Sequence, residues 1–130
     1  MIRQPRFLEL DEVLEIHRDQ ISRYGGLAGI RDAALLNSAV AMPRSGAATV
    51  YFHTDLFEMA AAYLFHIVKN HPFVDGNKRV GAVAALVFLD LNGIEMAIRD
   101  DDLFDIVIGV AGGTTPKSGV VEFLRRHGSN

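Results

Sequence analysis

The residues best suited to chemistry lie in one short stretch, NHPFVDGNKRVGA, Asn70 to Ala82. It brings an imidazole (His71), a carboxylate (Asp75), a carboxamide (Asn77) and two cations (Lys78, Arg79) together between two apolar runs. Pro72 disfavours helical backbone at His71, so one helix should stop near Asn70 and the next should begin at Gly76 or Asn77. The polar groups then meet at a helix N-terminus, where unpaired N–H groups and about half a positive charge attract anions, phosphate foremost. Asn77 adds an amide, Arg79 a fork that matches phosphate oxygens, and Lys78 a point charge. Asp75 would repel bare phosphate, but it suits Mg²⁺, which binds through one or two carboxylates and bridges phosphate oxygens. A neutral His71 can take the proton of an attacking hydroxyl, an effect typically worth about 10²–10⁴ in rate. The same residues also admit a structural reading, with Asp75 as a helix cap and Lys78 and Arg79 as solvated charges. The chemical reading has two points in its favour: the cluster opens the most apolar helix, and each of its groups has a role in one reaction.

Helical signals dominate the elements that must hold this loop. Leu10, Val13, Leu14, His17, Ile21 and Tyr24 recur at helical spacing behind a weak cap, Glu9, and the glycines of YGGLAGIRD end that helix. A second helix is predicted over Arg31 to Val40. Pro43 and Gly46 then break the pattern, and Thr49 to Phe52 favours an extended flap or hairpin. Thr54 is the predicted cap of a helix running to about Asn70. The helix after the loop is apolar on almost every side from Val80 to Leu91, as a buried central helix should be, and Asn92-Gly93 ends it. IEMAI, Ile94 to Ile98, reads as briefly extended. A helix follows from Asp100–Asp102 to Ala111. The last helix is predicted to start with Thr115 as cap and Pro116 at its first position, and to end near His127-Gly128. The expected fold is a single compact all-α domain over residues 1–130, of about six helices with a small extended flap.

Composition narrows the function classes. The chain has 130 residues, no cysteine and a net charge of −3, with 49% hydrophobic residues. It can build a core, has no thiol chemistry, and lacks the overall basic charge common in nucleic-acid binders. No direct DNA binding by this chain alone is expected, nor a membrane span, and the composition fits a cytoplasmic protein.

HPFVDGNKR, His71 to Arg79, resembles the signature of the Fic domain, His-Pro-Phe-x-(Asp/Glu)-Gly-Asn-(Gly/Lys)-x-x-x-Arg. More narrowly the chain resembles Doc toxins of Phd–Doc modules. ISRYGGLAGIRD, TDLFEMAAAYL, NKRVGAVAALVFLDLNG and the closing LRRHGSN are Doc-like in order and spacing. Two positions depart from ordinary Fic enzymes, Lys78 in place of the second signature glycine and Ala82 in place of the final arginine. In Fic enzymes those two residues favour AMP transfer. The resemblance to Doc implies instead that ATP binds turned, with its γ-phosphate near the histidine, and that a protein hydroxyl is phosphorylated. It further implies His71 as general base, Asp75 as the Mg²⁺ ligand, Arg79 as a catalytic residue, and Gly76, Asn77, Lys78 and Arg79 as the phosphate cradle. The implied partners are a Phd-like antitoxin and a translation factor, elongation factor Tu, modified on a threonine. The alternatives are a Fic-type adenylyltransferase and a binding module without turnover.

Other signals are weaker. His66 and His71 lack zinc-helix spacing, and His66 and His17 read as packed helical residues. GGLAG, Gly25 to Gly29, reads as a turn. Thr54–Glu58 and Ser118–Glu122 both match the short Ser/Thr-x-x-x-Glu restraint string of Fic proteins, and both equally fit helix starts.

Overall fold

Local side-chain chemistry sets most helix ends in the computed structural model, which describes residues 4–47 and 50–129. Helix α1 (Leu10–Tyr24) begins at Glu9, whose N–H donates to the Glu12 carboxylate at 3.0 Å. The glutamate serves because Glu12 answers it three residues later, as in a capping box. Helix α2 (Ala33–Ala41) starts two residues after the expected Arg31. Asp32 takes the cap and accepts from the Leu35 N–H at 3.0 Å. A 3-10 turn, Met42–Arg44, leads into a hairpin of β1 (Gly46–Ala47) and β2 (Val50–Tyr51), with Gly46 opposite Tyr51. The expected flap is therefore a hairpin arm. Ala48 and Thr49 lie outside the described residues, and Val50 and Phe52 are exposed.

Helix α3 (Leu56–Asn70) is capped by Asp55, one residue beyond the expected Thr54. The Asp55 carboxylate accepts from the Glu58 N–H at 2.8 Å, while the Thr54 hydroxyl donates to Glu58 Oε2 at 2.9 Å. An ionised acceptor satisfies a helix-end donor better than a hydroxyl does. Helix α4 (Asn77–Leu91) buries Val80, Ala84, Ala85, Phe88 and Leu89 against α3, and the two helices form the centre of the molecule. The Tyr63 and Phe88 rings meet at 5.3 Å. Burying each of the larger side chains there contributes about 1.5–3 kcal/mol. Small residues let the two helices approach: a Cβ on Gly81 would sit 3.1 Å from the Leu64 carbonyl oxygen. Tyr63 also fastens the N-terminal segment, its hydroxyl accepting from the Leu8 N–H at 2.8 Å. Burial pushes that phenol up to about 12.

After α4 the chain forms β3 (Glu95–Met96), α5 (Asp100–Ala111), α6 (Lys117–His127) and β4 (Gly128–Ser129). Strand β4, absent from the sequence expectation, pairs antiparallel with β3, Met96 opposite Gly128. Pro116 occupies the cap of α6 in extended backbone rather than its first helical position. The fold is mostly α, with six α-helices and two two-stranded sheets among the described residues. No helix among them is long and apolar enough to cross a membrane.

Candidate active site

The loop between α3 and α4 is short and held on both sides. Helix α3 ends at Asn70, and His71 caps it in left-handed backbone, φ 51 and ψ 53. His71 is exposed, as are Val74 and Asp75. Phe73 is fully buried and anchors the loop. Gly76 then caps α4 with φ 83. A Cβ there would lie 3.3 Å from Ile21 Cδ1 and 3.6 Å from Arg79 Nη2, so glycine suits both the backbone and the space.

Val80 donates to the Gly76 carbonyl at 2.9 Å and so closes the first turn of α4. The backbone N–H groups of Asn77, Lys78 and Arg79 have no acceptor among the described residues. Three such donors, with the positive end of the α4 dipole, can receive an anion. Beside them lies a cavity of about 450 Å³. Its polar side carries Asp75 to Arg79. Its apolar side comes from α4 and α5: Ala82, Leu103, Phe104 and Val107, with Asp100 at the rim. His71 stands outside this wall, at the α3 end of the same loop.

The side chains divide into free and committed. Lys78 is exposed and makes no hydrogen bond or ion pair with the described residues. Asn77 is 4% exposed, and its carboxamide is committed: Oδ1 accepts from the Phe73 N–H at 2.9 Å and Nδ2 donates to the Phe73 carbonyl at 3.0 Å. What Asn77 leaves for a phosphate is its backbone N–H. Arg79 is likewise engaged, donating to the Gln20 carbonyl at 3.2 Å and the Gly25 carbonyl at 2.9 Å, with its guanidinium 5.8 Å from the centre of the Tyr24 ring. It ties α4 to the C-terminal end of α1, where a cation suits the dipole. Asp75 accepts from the Leu27 N–H through Oδ2 at 3.1 Å, and Oδ1 has no partner among the described residues. No group of three or more metal-ligating side chains is gathered among the described residues. Mg²⁺ held jointly with phosphate needs only one or two carboxylates from protein, and Asp75 offers one, with Oδ1 free of partners among the described residues.

Two features escaped the sequence reading. The Gly25–Gly29 segment, read as a turn, forms with Ile30, Arg31 and Asp32 a cradle for the loop. Val74 donates to the Gly29 carbonyl at 3.0 Å, and Arg31 and Asp32 both donate to the Pro72 carbonyl, at 2.7 and 3.0 Å. Ile30 and Phe73 form an isolated β-bridge. His17, read as a packed helical residue, is packed: it is 5% exposed and stacks on Phe73 at 3.9 Å, the planes 6° apart. It also donates from Nε2 to the Asp75 carbonyl at 3.0 Å, which fixes its proton on that nitrogen because a carbonyl can only accept. The i, i+4 and i, i+7 spacing of α1 shows that His17 faces inward, but not that its partner lies in a loop far along the chain.

His66 and His53 lie elsewhere, near Lys117 on α6. His53 Nε2 is 3.2 Å from Lys117 Nζ, and burial is the chief cause that lowers both groups. Glu58 and Glu122, the glutamates of the two restraint-like strings, share one cavity with His53 and Lys117, and neither lines the cavity beside α4.

The chain is similar to known proteins. A model of the Fic/DOC family matches residues 7–89, which include α1, α3, the loop and most of α4. The chain is 36% identical over 121 residues to "Protein kinase doc" of Escherichia phage P1, covering 93% of this chain and 94% of that protein. It is 41% identical over 78 residues to "Toxin Doc" of Mycolicibacterium smegmatis, covering 60% of each.

Proposed function

The chain belongs to the Fic/DOC family, and from that premise we propose that it is a Doc-type toxin kinase, moving the γ-phosphoryl group of ATP onto a hydroxyl of a target protein. The observation that carries the reading is the open N-terminus of α4: three unpaired N–H groups and the free Lys78 side chain face a 450 Å³ cavity beside the loop that bears His71. Phosphoryl transfer asks mainly for positioning and for neutralisation of charge, and this site supplies both.

In the proposed reaction the N–H groups of residues 77–79 and the Lys78 ammonium hold the phosphates. Arg79 adds its field while bracing α1, and Asn77 acts by shaping the loop. The acceptor hydroxyl approaches from the exposed His71 side. Its oxygen attacks the γ-phosphorus, its proton passes to the imidazole, and ADP departs. Asp75 would hold Mg²⁺, which neutralises charge between phosphate oxygens when bound. Ala82 supports the kinase over the adenylyl reading, because the cavity wall there carries a methyl group where the Fic signature has an arginine. The finer reading is a threonine of elongation factor Tu as acceptor, translation arrest in the cytoplasm as outcome, and a Phd-like antitoxin as partner.

The test uses ATP labelled at the γ- or the α-phosphate, with cell lysate as acceptor. Protein labelled from the γ position only is expected, and His71→Ala should abolish it. Lys78→Gly should weaken γ transfer. Label from the α position alone would replace the kinase reading with adenylyl transfer.

A further inference from the structure

We propose that Arg31 is a positioning residue for His71, holding the backbone conformation from which the imidazole reaches an acceptor hydroxyl. The inference rests on the proposed role of His71. His71 is the only non-glycine residue with positive φ among the described residues. Left-handed backbone is unfavourable for a residue with a Cβ and persists only where the surroundings hold it.

Arg31 supplies that hold. Its Nε donates to the His71 carbonyl at 2.6 Å and its Nη2 to the Asn70 carbonyl at 2.9 Å. Its own N–H donates to the Pro72 carbonyl at 2.7 Å, joined there by the Asp32 N–H. Three successive carbonyls, at residues 70, 71 and 72, are thus fixed from one short stretch of chain. Two of them belong to the end of α3, where unpaired carbonyls and the negative pole of the dipole welcome a cation. Arg31 has no carboxylate within ion-pair distance among the described residues, so its charge is spent on this helix end.

The φ and ψ of His71 set where its Cα–Cβ bond points. Releasing the two carbonyls frees that residue to relax towards extended backbone, the conformation favoured before Pro72, and shifts the imidazole. A lysine cannot substitute: its ammonium is a single point on a flexible stem, whereas the guanidinium holds two carbonyls in a fixed fork.

The experiment compares the full chain with Arg31→Lys and Arg31→Gln in three measurements. Carbon and amide chemical shifts of His71 by NMR report its backbone conformation. Initial rates of label transfer from γ-labelled ATP to lysate protein give an apparent maximal rate and KM for ATP. Thermal melting reports stability. In both variants the left-handed shift pattern of His71 should be lost while resonances of α5 and α6 stay in place. The maximal rate should fall about 10- to 100-fold with KM for ATP within about twofold, since misplacement of about 1 Å can cost 10². A left-handed His71 in both variants, or shift changes spread through the whole fold, would overturn the proposal. So would a raised KM with the maximal rate intact. If the unaltered chain transfers no phosphate, the NMR comparison still decides what Arg31 does to His71, and only the kinase reading falls.

Discussion

Replacing Asn77 by alanine separates two roles that its sequence position allows. If the carboxamide gripped phosphate, its loss would raise KM for ATP and leave the fold alone. The structure commits both its polar atoms to Phe73, at 2.9 and 3.0 Å, in a setting 4% exposed. Removing them strands one buried N–H and one buried C=O, each costing about 1–3 kcal/mol. The expected loss is therefore about 2–6 kcal/mol. For a domain of 130 residues each kcal/mol shifts the melting temperature by roughly 3–5 °C, so a drop of roughly 6–30 °C should follow. Urea titration should show a lower midpoint at unchanged slope if unfolding stays two-state. Binding of ATP, measured well below the new melting temperature, should weaken only as far as the loop loosens. A variant as stable as the parent that bound ATP tenfold more weakly would refute the structural assignment and return Asn77 to the phosphate cradle.

Acid should weaken the fold through His66. Burial first, then Lys117 and His53, lowers its pKa to about 4, and its Nε2 has no partner among the described residues. The unfolded chain takes up a proton near pH 6.5 and the folded chain does not, so stability declines as pH falls from about 6.5 towards 4. The full shift would amount to about 3 kcal/mol. For this partly exposed ring, screening reduces it to about 1–2 kcal/mol. His66→Phe should flatten the difference in urea midpoint between pH 7 and pH 5, and an unchanged difference would locate the effect elsewhere. Gly81→Val tests the α3–α4 approach: a Cβ at Gly81 would lie 2.8 Å from Val68 Cγ2 and 3.1 Å from the Leu64 carbonyl. Overpacking there should cost about 1–3 kcal/mol in urea unfolding. An unaltered midpoint would mean that the helices part without penalty.

The amino-acid sequence by itself determined the helical class, nearly every helix end, and the gathering of Asp75 and residues 76–79 at the start of the buried helix, while His71 lies at the α3 end of the same loop. Those are local matters: Pro72 stops α3, Gly76 admits the left-handed turn, and apolarity from Val80 to Leu91, interrupted only at Asp90, demands a central place. Its misses among the helix starts were by one or two residues, at Asp32, Asp55 and Pro116, where neighbouring residues compete for a single cap and small energy differences choose between them. Tertiary structure decided which side chains are free. Asn77 and Arg79 look like phosphate ligands in a string of letters, yet one is bonded to Phe73 and the other to α1. The glycine turn at 25–29 looks like a connection, yet it and Arg31 hold the loop through partners some forty residues away. Strand β4 exists only because β3 lies beside it. Backbone carbonyls and edges carry no letter of their own, so contacts between them become legible only when the chain has closed on itself.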